Sequence, residues 1–356
     1  MRPGRREASA SASTPFAALF PGQLSERAGM GEALAARYDF VCSLFEEVSR
    51  RSGVDLPGTF FGAGSPHLHE DLPAQAGLFA VSLAVLDVLE QEHGLRPAAV
   101  AGYSLGTYAA FVAAGVLDRW AALDVLLEAE RLLREARRSG AVEGTMGYVI
   151  GLPRAAVETL IGEVTGDPTR LAIATENAAA QFVVSGRREE TVKLLELARP
   201  KALKADLLPI GFPMHSRCLS GVCEGLRSFL EGGVRFLQPH AALFSPMLGR
   251  RIESESEARA TLSQQISRPS LWAATLRAIG ESAPGAPGHR LFAELGAGDV
   301  LTKLLRWTLR EARGFALETP DSIEAFVGSA MACSPFEEEG AVSRGEAPAG
   351  NAPVLR

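Results

Sequence analysis

The chain has 356 residues, of which 47% are hydrophobic and 22% charged, and its formal net charge is −6. Such a composition buries a large core and excludes disordered, collagen-like and low-complexity classes. A net negative charge leaves no electrostatic footprint for nucleic acid, although a local basic rim for an acidic protein partner stays compatible with it.

In chain order, residues 1–14 are rich in Ser, Ala and Arg and read as a disordered tail. Phe16–Phe20 is a short apolar run ended by Pro21-Gly22, as a buried strand would be. Ala76–Glu92 has helical spacing without a breaker after Gly77, and Ala99–Gly102 is a second brief strand leading into a helix over Leu105–Ala114. Between Gly144 and Leu208 the rhythm changes. TMGYVIGL reads as a strand, Arg154–Val164 as a helix, LAIATEN and QFVVSG as two strands, Glu189–Ala198 as a helix and Ala202–Leu208 as a last strand. That βαββαβ order is the ferredoxin-like unit. Ser220–Leu230 reads as a helix, Leu291–Leu295 as a strand, and GAGDVLTKLLRWTLR as a glycine turn and helix. Residues 334–356 read as a second disordered tail. The expected fold is α/β: a large α/β-hydrolase-like parallel-sheet domain (15–143 and 209–333) carrying a ferredoxin-like insert (144–208).

Cys42, Cys218, Cys223 and Cys333 show no CxxC or zinc-ligand spacing and read as free thiols of a reducing cytoplasm. No apolar run reaches the 18 or more residues of a membrane helix, and MRPGRREASASAS lacks the apolar stretch of a secretory signal. A cytoplasmic chain is expected, monomeric by default because the fold closes its own core, without membrane or nucleic-acid partners.

Gly102-Tyr103-Ser104-Leu105-Gly106 is a GxSxG between a strand and a helix. Flanking glycines let the backbone turn tightly and raise a serine hydroxyl at a helix N-terminus, where unpaired N–H groups can hold an oxyanion. A bland alternative is a strand–helix turn whose serine only caps the helix. A nucleophilic serine needs a base. Of His67, His69, His93, His215, His240 and His289, only His215 lies between the last strand of the insert and a helix, in GFPMHSRC.

FPGQ at Phe20–Gln23 with GMG at Gly29–Gly31, GxSLGxYAAxxAAGVLD at Gly102–Asp118 and the histidine of PMHS resemble the malonyl-CoA:acyl carrier protein transacylase family, which includes polyketide synthase acyltransferase domains. GxVIGL at Gly147–Leu152, QFVVSG at Gln181–Gly186, QQISRPSLW at Gln264–Trp272 and ELGAGDVL at Glu294–Leu301 extend the likeness, and ALETPDSIEAF at Ala316–Phe326 is similar to its closing strand. The resemblance implies acyl transfer from coenzyme A to an acyl carrier protein through an ester on Ser104, in fatty acid or polyketide biosynthesis, with no metal or redox cofactor. It implies His215 as general base, the Gln265 carbonyl as its orienting group, the Gln23 and Leu105 N–H groups as oxyanion donors, and Gln75 facing the acyl pocket.

Several positions depart from the family. Tyr103 and Thr107 stand where it usually has His and Glu, Leu24 follows Gln23, and Met214 replaces a residue that sorts acyl branches. The arginine that binds a malonyl carboxylate falls, by ungapped count from Ser104, on Ala129, and Arg131 is about 200° further round a helix. Malonyl-type transfer, with Arg131 reaching the pocket, is the leading expectation, and two alternatives stay open: transfer of an uncharged acyl group such as acetyl, or hydrolysis of the acyl group from acyl carrier proteins. Beyond them stand an α/β-hydrolase esterase using His289, and an inactive binding module.

Overall fold

The structure, a computed structural model, describes residues 14–282 and 291–332. His289, Cys333 and nearly all of both expected tails lie outside the described residues. Among the described residues, ten strands form two sheets: β1 (Phe16–Phe20), β2 (Ala99–Gly102), β3 (Thr145–Ile150), β4 (Leu171–Ala178), β5 (Gln181–Gly186), β6 (Lys204–Leu207), β7 (Ala242–Ser245), β8 (Arg250–Arg251), β9 (Leu291–Leu295) and β10 (Arg313–Leu317). The larger sheet has the order β10-β9-β1-β2-β7-β8, parallel except for the β7–β8 edge. β1, β2 and β9 are buried along their whole length, because a parallel sheet covered by helices on both faces needs continuous apolar strands.

The expected helix at Ala76–Glu92 is longer, Asp71–Gln91, with Pro73 inside its first turn, where a missing N–H costs nothing. By length and composition this helix could cross a membrane, contrary to the expectation that no run would. Almost all of its surface is already buried against the sheet and its neighbours, which identifies it as a core helix.

The smaller sheet is antiparallel with the order β4-β5-β3-β6, packed on two helices, Arg154–Val164 and Arg188–Ala198. It is joined to the larger body where Ser270 bridges β4, donating to the Ala174 carbonyl at 2.8 Å and accepting from the Glu176 N–H at 2.9 Å. One expected strand is overturned. Ala316–Phe326 contributes only its first two residues to β10, and the rest begins the helix Pro320–Ala332. Pro320 opens that helix, and the Thr319 hydroxyl accepts the Ser322 N–H as a cap.

Candidate active site

Ser104 sits at the C-terminal end of β2, where ligands of open α/β sheets bind. A side chain at Gly102 would overlap the Gly106 carbonyl, and one at Gly106 would overlap the Phe20 carbonyl of β1. The two glycines are therefore demanded by close backbone contact across the bend. Ser104 itself has φ 52°, a left-handed conformation that costs a non-glycine residue about 1–3 kcal/mol. Among the described residues, only Leu24 (φ 73°) and His215 (φ 59°) share such a backbone without being glycine. All three line one cavity, so the strain is concentrated where side chains must be aimed.

The Ser104 hydroxyl lies 2.9 Å from His215 Nε2. On the other side of the ring, Nδ1 is 2.8 Å from the Gln265 carbonyl and 3.2 Å from that of Arg268. Carbonyl oxygens only accept, so Nδ1 carries the proton and Nε2 presents its lone pair to Ser104, which donates. Burial lowers the His215 pKa from its usual 6.5, and the two carbonyl bonds act in the opposite direction without cancelling it. The imidazole is thus neutral at neutral pH and can accept a proton from the serine.

The cavity over Ser104 has a volume of about 290 Å³. Gln23, Leu24, Val300 and Leu301 wall it on the side of the larger sheet, and Met146, Tyr148, Gln181 and Val183 of the smaller sheet wall the other. No Lys or Arg is among its described lining residues. Tyr103 and Met214 line it as expected. The Tyr103 hydroxyl donates to Asn177 Oδ1 at 2.9 Å and its ring meets Trp272 edge-on at 5.2 Å, which locks the wall beside the nucleophile. Sequence reasoning missed Asn177, an asparagine on a strand with no local signal.

Residues 18–328 match the pattern of the family described as acyl transferase domain. The chain belongs to that family. The malonyl CoA-acyl carrier protein transacylase of Bacillus subtilis (strain 168) is 28% identical over 310 residues, covering 87% of this chain and 95% of that protein. Among solved structures, the malonyl-CoA:acyl carrier protein transacylase of Xanthomonas oryzae pv. oryzae superposes with a TM-score of 0.81 at 26% identity, over 89% of this chain and 98% of its own. A malonyl-transacylase solved with a holo type II polyketide synthase acyl carrier protein also gives 0.81, at 27% identity over 88% of this chain and 99% of its own. The resemblance read from the motifs is therefore to the right family, that of the malonyl-CoA:acyl carrier protein transacylases, and the chain is an acyltransferase.

Within this acyltransferase, two expected pocket residues lie elsewhere. Gln75 and Ala129 are buried but are not among the residues described as lining the cavity. Gln75 Nε2 instead donates to Glu130 at 3.0 Å. Desolvation raises the Glu130 pKa to about 7, and Arg134 pairs with its other oxygen at 3.1 Å. Arg131 points away from the site: it is 57% exposed and paired with both Glu128 and Glu135. It does not reach the pocket.

Thr107, noted in the sequence only as a departure, has a partner at the centre of the site. Its hydroxyl donates to Gln265 Oε1 at 2.8 Å. The segment that carries Ser104 therefore pins the residue whose carbonyl holds His215. Replacing Thr107 by Val keeps the shape and deletes the bond. Turnover is expected to fall about tenfold, with donor KM within about twofold and recovery in Thr107→Ser. Steady-state kinetics of the three proteins check this.

Proposed function

We propose that the chain transfers an uncharged acyl group from a coenzyme A thioester to an acyl carrier protein through an ester on Ser104. The observation that carries the reading is the Ser104–His215 pair at 2.9 Å beneath a cavity without a cationic side chain. In the first half-reaction Ser104 Oγ attacks the thioester carbon while His215 Nε2 takes its proton. The N–H groups of Gln23 and Leu105 are the proposed oxyanion donors, each worth about 3 kcal/mol in such sites. Gln23 lines the cavity, and Leu105 directly follows the nucleophile. The adjacent Leu24 N–H is already taken, donating to Glu26 at 2.7 Å.

Collapse of the tetrahedral intermediate breaks the C–S bond, and the His215 proton leaves with coenzyme A as its thiol. The phosphopantetheine thiol of the carrier then gives its proton to His215 and attacks the acyl-serine, and Ser104 regains a proton as the ester breaks. On the side of the enzyme, the proposed cycle uses the Ser104 hydroxyl, the His215 imidazole and two backbone N–H groups.

Intact-mass measurement after incubation with acetyl-CoA, and separately malonyl-CoA, tests the proposal. A +42 Da adduct from acetyl-CoA (about 42 by the mass of the added ketene unit), absent in Ser104→Ala, is expected to persist until holo carrier protein is added. Rapid loss in buffer alone would make the chain a hydrolase, and no adduct from any donor would leave a binding module. The pH dependence follows from the lowered His215 pKa. Protonation removes the base, so kcat/KM falls on the acid side, with a midpoint expected below the ordinary 6.5. A kcat/KM–pH profile with its acid midpoint above 6.5 would contradict that assignment.

A further inference from the structure

The two carbonyls behind the His215 ring fix its tautomer, but the backbone that delivers the ring must also be held. His215 lies in the connection after β6, residues 208–216, which contains no helix or strand. Its φ of 59° persists only where the surroundings enforce it. The connection is tied at both ends. The Leu208 N–H donates to the Met146 carbonyl at 3.0 Å, the Thr145 hydroxyl to the Ile210 carbonyl at 3.4 Å, and the His215 N–H to the Ile266 carbonyl at 2.6 Å. Between those ties, one hydrogen bond among the described residues reaches residues 211–214: Arg137 Nη2 donates to the Gly211 carbonyl at 2.6 Å.

Arg137 stands in the last turn of the helix Arg119–Arg138. A basic residue there suits the helix dipole whatever it touches, so its position alone assigns nothing. Its contacts do. The guanidinium also lies over the Phe212 ring, 3.6 Å from the centroid. That ring is buried in a cluster with Leu133, one turn earlier on the same helix, and with Leu219, Val222 and Ile266. Phe212 is therefore held between apolar side chains and a stacked cation. The nearest carboxylate to Arg137 is Asp71, at 3.8 Å, the edge of ion-pair distance. Gly211 is not among the glycines with positive φ, yet a side chain there would overlap the guanidinium. What this glycine makes room for is Arg137.

We propose that Arg137 is a positioning residue for His215: it fixes the stretch from Gly211 to Met214, and with it the place from which Nε2 meets Ser104. The assignment rests on the acyl-serine reaction proposed above. It completes a frame around the reacting pair. The chain leaving Ser104 bonds Gln265 through Thr107 and then, at the far end of its next long helix, holds the segment that leads into His215. The bond is charge-assisted and the stacking needs a flat cation, so a lysine can reproduce the geometry only in part.

His215 takes up a proton in each half-reaction, so loosening it should slow both by the same factor. Arg137→Ala is expected to lower Ser104 acylation by acetyl-CoA, and transfer to a holo acyl carrier protein of fatty acid synthesis, each about tenfold. KM for both substrates should stay within about twofold. Arg137→Lys should regain about threefold of that loss. Gly211→Ala, which displaces the guanidinium from the other side, should reproduce the tenfold loss, and the double variant should be at most about twofold slower than either single one. Rates are compared well below each melting temperature, and hydrogen exchange at residues 209–216 should be faster in both single variants.

Four outcomes would overturn the assignment. A loss confined to acylation, with a raised acetyl-CoA KM, would give Arg137 to the coenzyme A nucleotide, and a loss confined to transfer would give it to the carrier. Unchanged rates with a lower melting temperature would leave a stability contact only. Additive losses in the double variant would mean that Arg137 and Gly211 act separately. A wild type that takes no acyl group from any donor would refute the transfer reaction instead. Exchange at residues 209–216 would then still decide whether Arg137 holds the segment: faster in Arg137→Ala upholds it, unchanged refutes it.

Discussion

Ser104→Ala is expected to lower turnover by about 10⁴-fold or more and to leave no covalent adduct with any acyl-CoA. The substitution removes the atom that forms the ester, and nothing else in the cavity can replace it. Alanine tolerates the φ of 52° about as poorly as serine does, so folded stability should change little, and a melting curve separates loss of chemistry from loss of structure. His215→Ala should cost a comparable factor, because a serine hydroxyl without a base is a weak nucleophile at neutral pH. The double variant should be scarcely worse than either single one, since the two groups act as a unit. Additive losses would mean that the 2.9 Å contact is not the route of the proton.

The orienting group is also unusual in its charge. In a serine–histidine–aspartate triad, a carboxylate stabilises the imidazolium that forms during attack. Here two neutral carbonyls, of Gln265 and Arg268, receive the Nδ1 proton. Dipoles stabilise a cation less than a full negative charge does, which fits a ring whose pKa falls below its ordinary value. A base of that kind suits a thioester, whose thiol leaving group needs less help from a proton donor than an amine would.

The nucleophile was legible because its constraints are local. Two glycines, a preceding apolar strand and a following helix are all contained within about ten residues. The histidine was not legible from the residues alone. It is 111 positions away, and no periodicity reports that the loop after β6 folds back over β2, so the family resemblance carried that assignment. Thr107 shows the limit of reading a motif by comparison. It appeared as the loss of a family glutamate, whereas its bond to Gln265 exists only because residues 158 apart meet in the core. Gln75 and Ala129 are outside the described cavity lining for a related reason. Counting along a helix fixes which way a side chain points relative to Ser104, but one wall of the cavity comes from the smaller sheet, and Glu130 engages the Gln75 amide. The closing segment was misread because ALETPDSIEAF contains both a strand end and a capped helix start, and its apolar residues satisfy either period over so short a run.

The walls of the cavity lead to the second large effect: acylation by acetyl-CoA or propionyl-CoA is expected to exceed acylation by malonyl-CoA by about 100-fold in kcat/KM. A malonyl group brings a carboxylate that must leave water. Arg131 is exposed and paired elsewhere, Ala129 offers a methyl group, and the neutral His215 is committed to Ser104 and two carbonyls. Burying a carboxylate without a partner costs about 3 kcal/mol even after partial relaxation, and each 1.36 kcal/mol is about tenfold. Acetyl transfer should follow only the titration of His215. Parallel kcat/KM measurements for the donors decide the matter. Malonyl-CoA performing as well as acetyl-CoA would show that a cation enters the cavity once substrate binds, and the uncharged-acyl reading would fall.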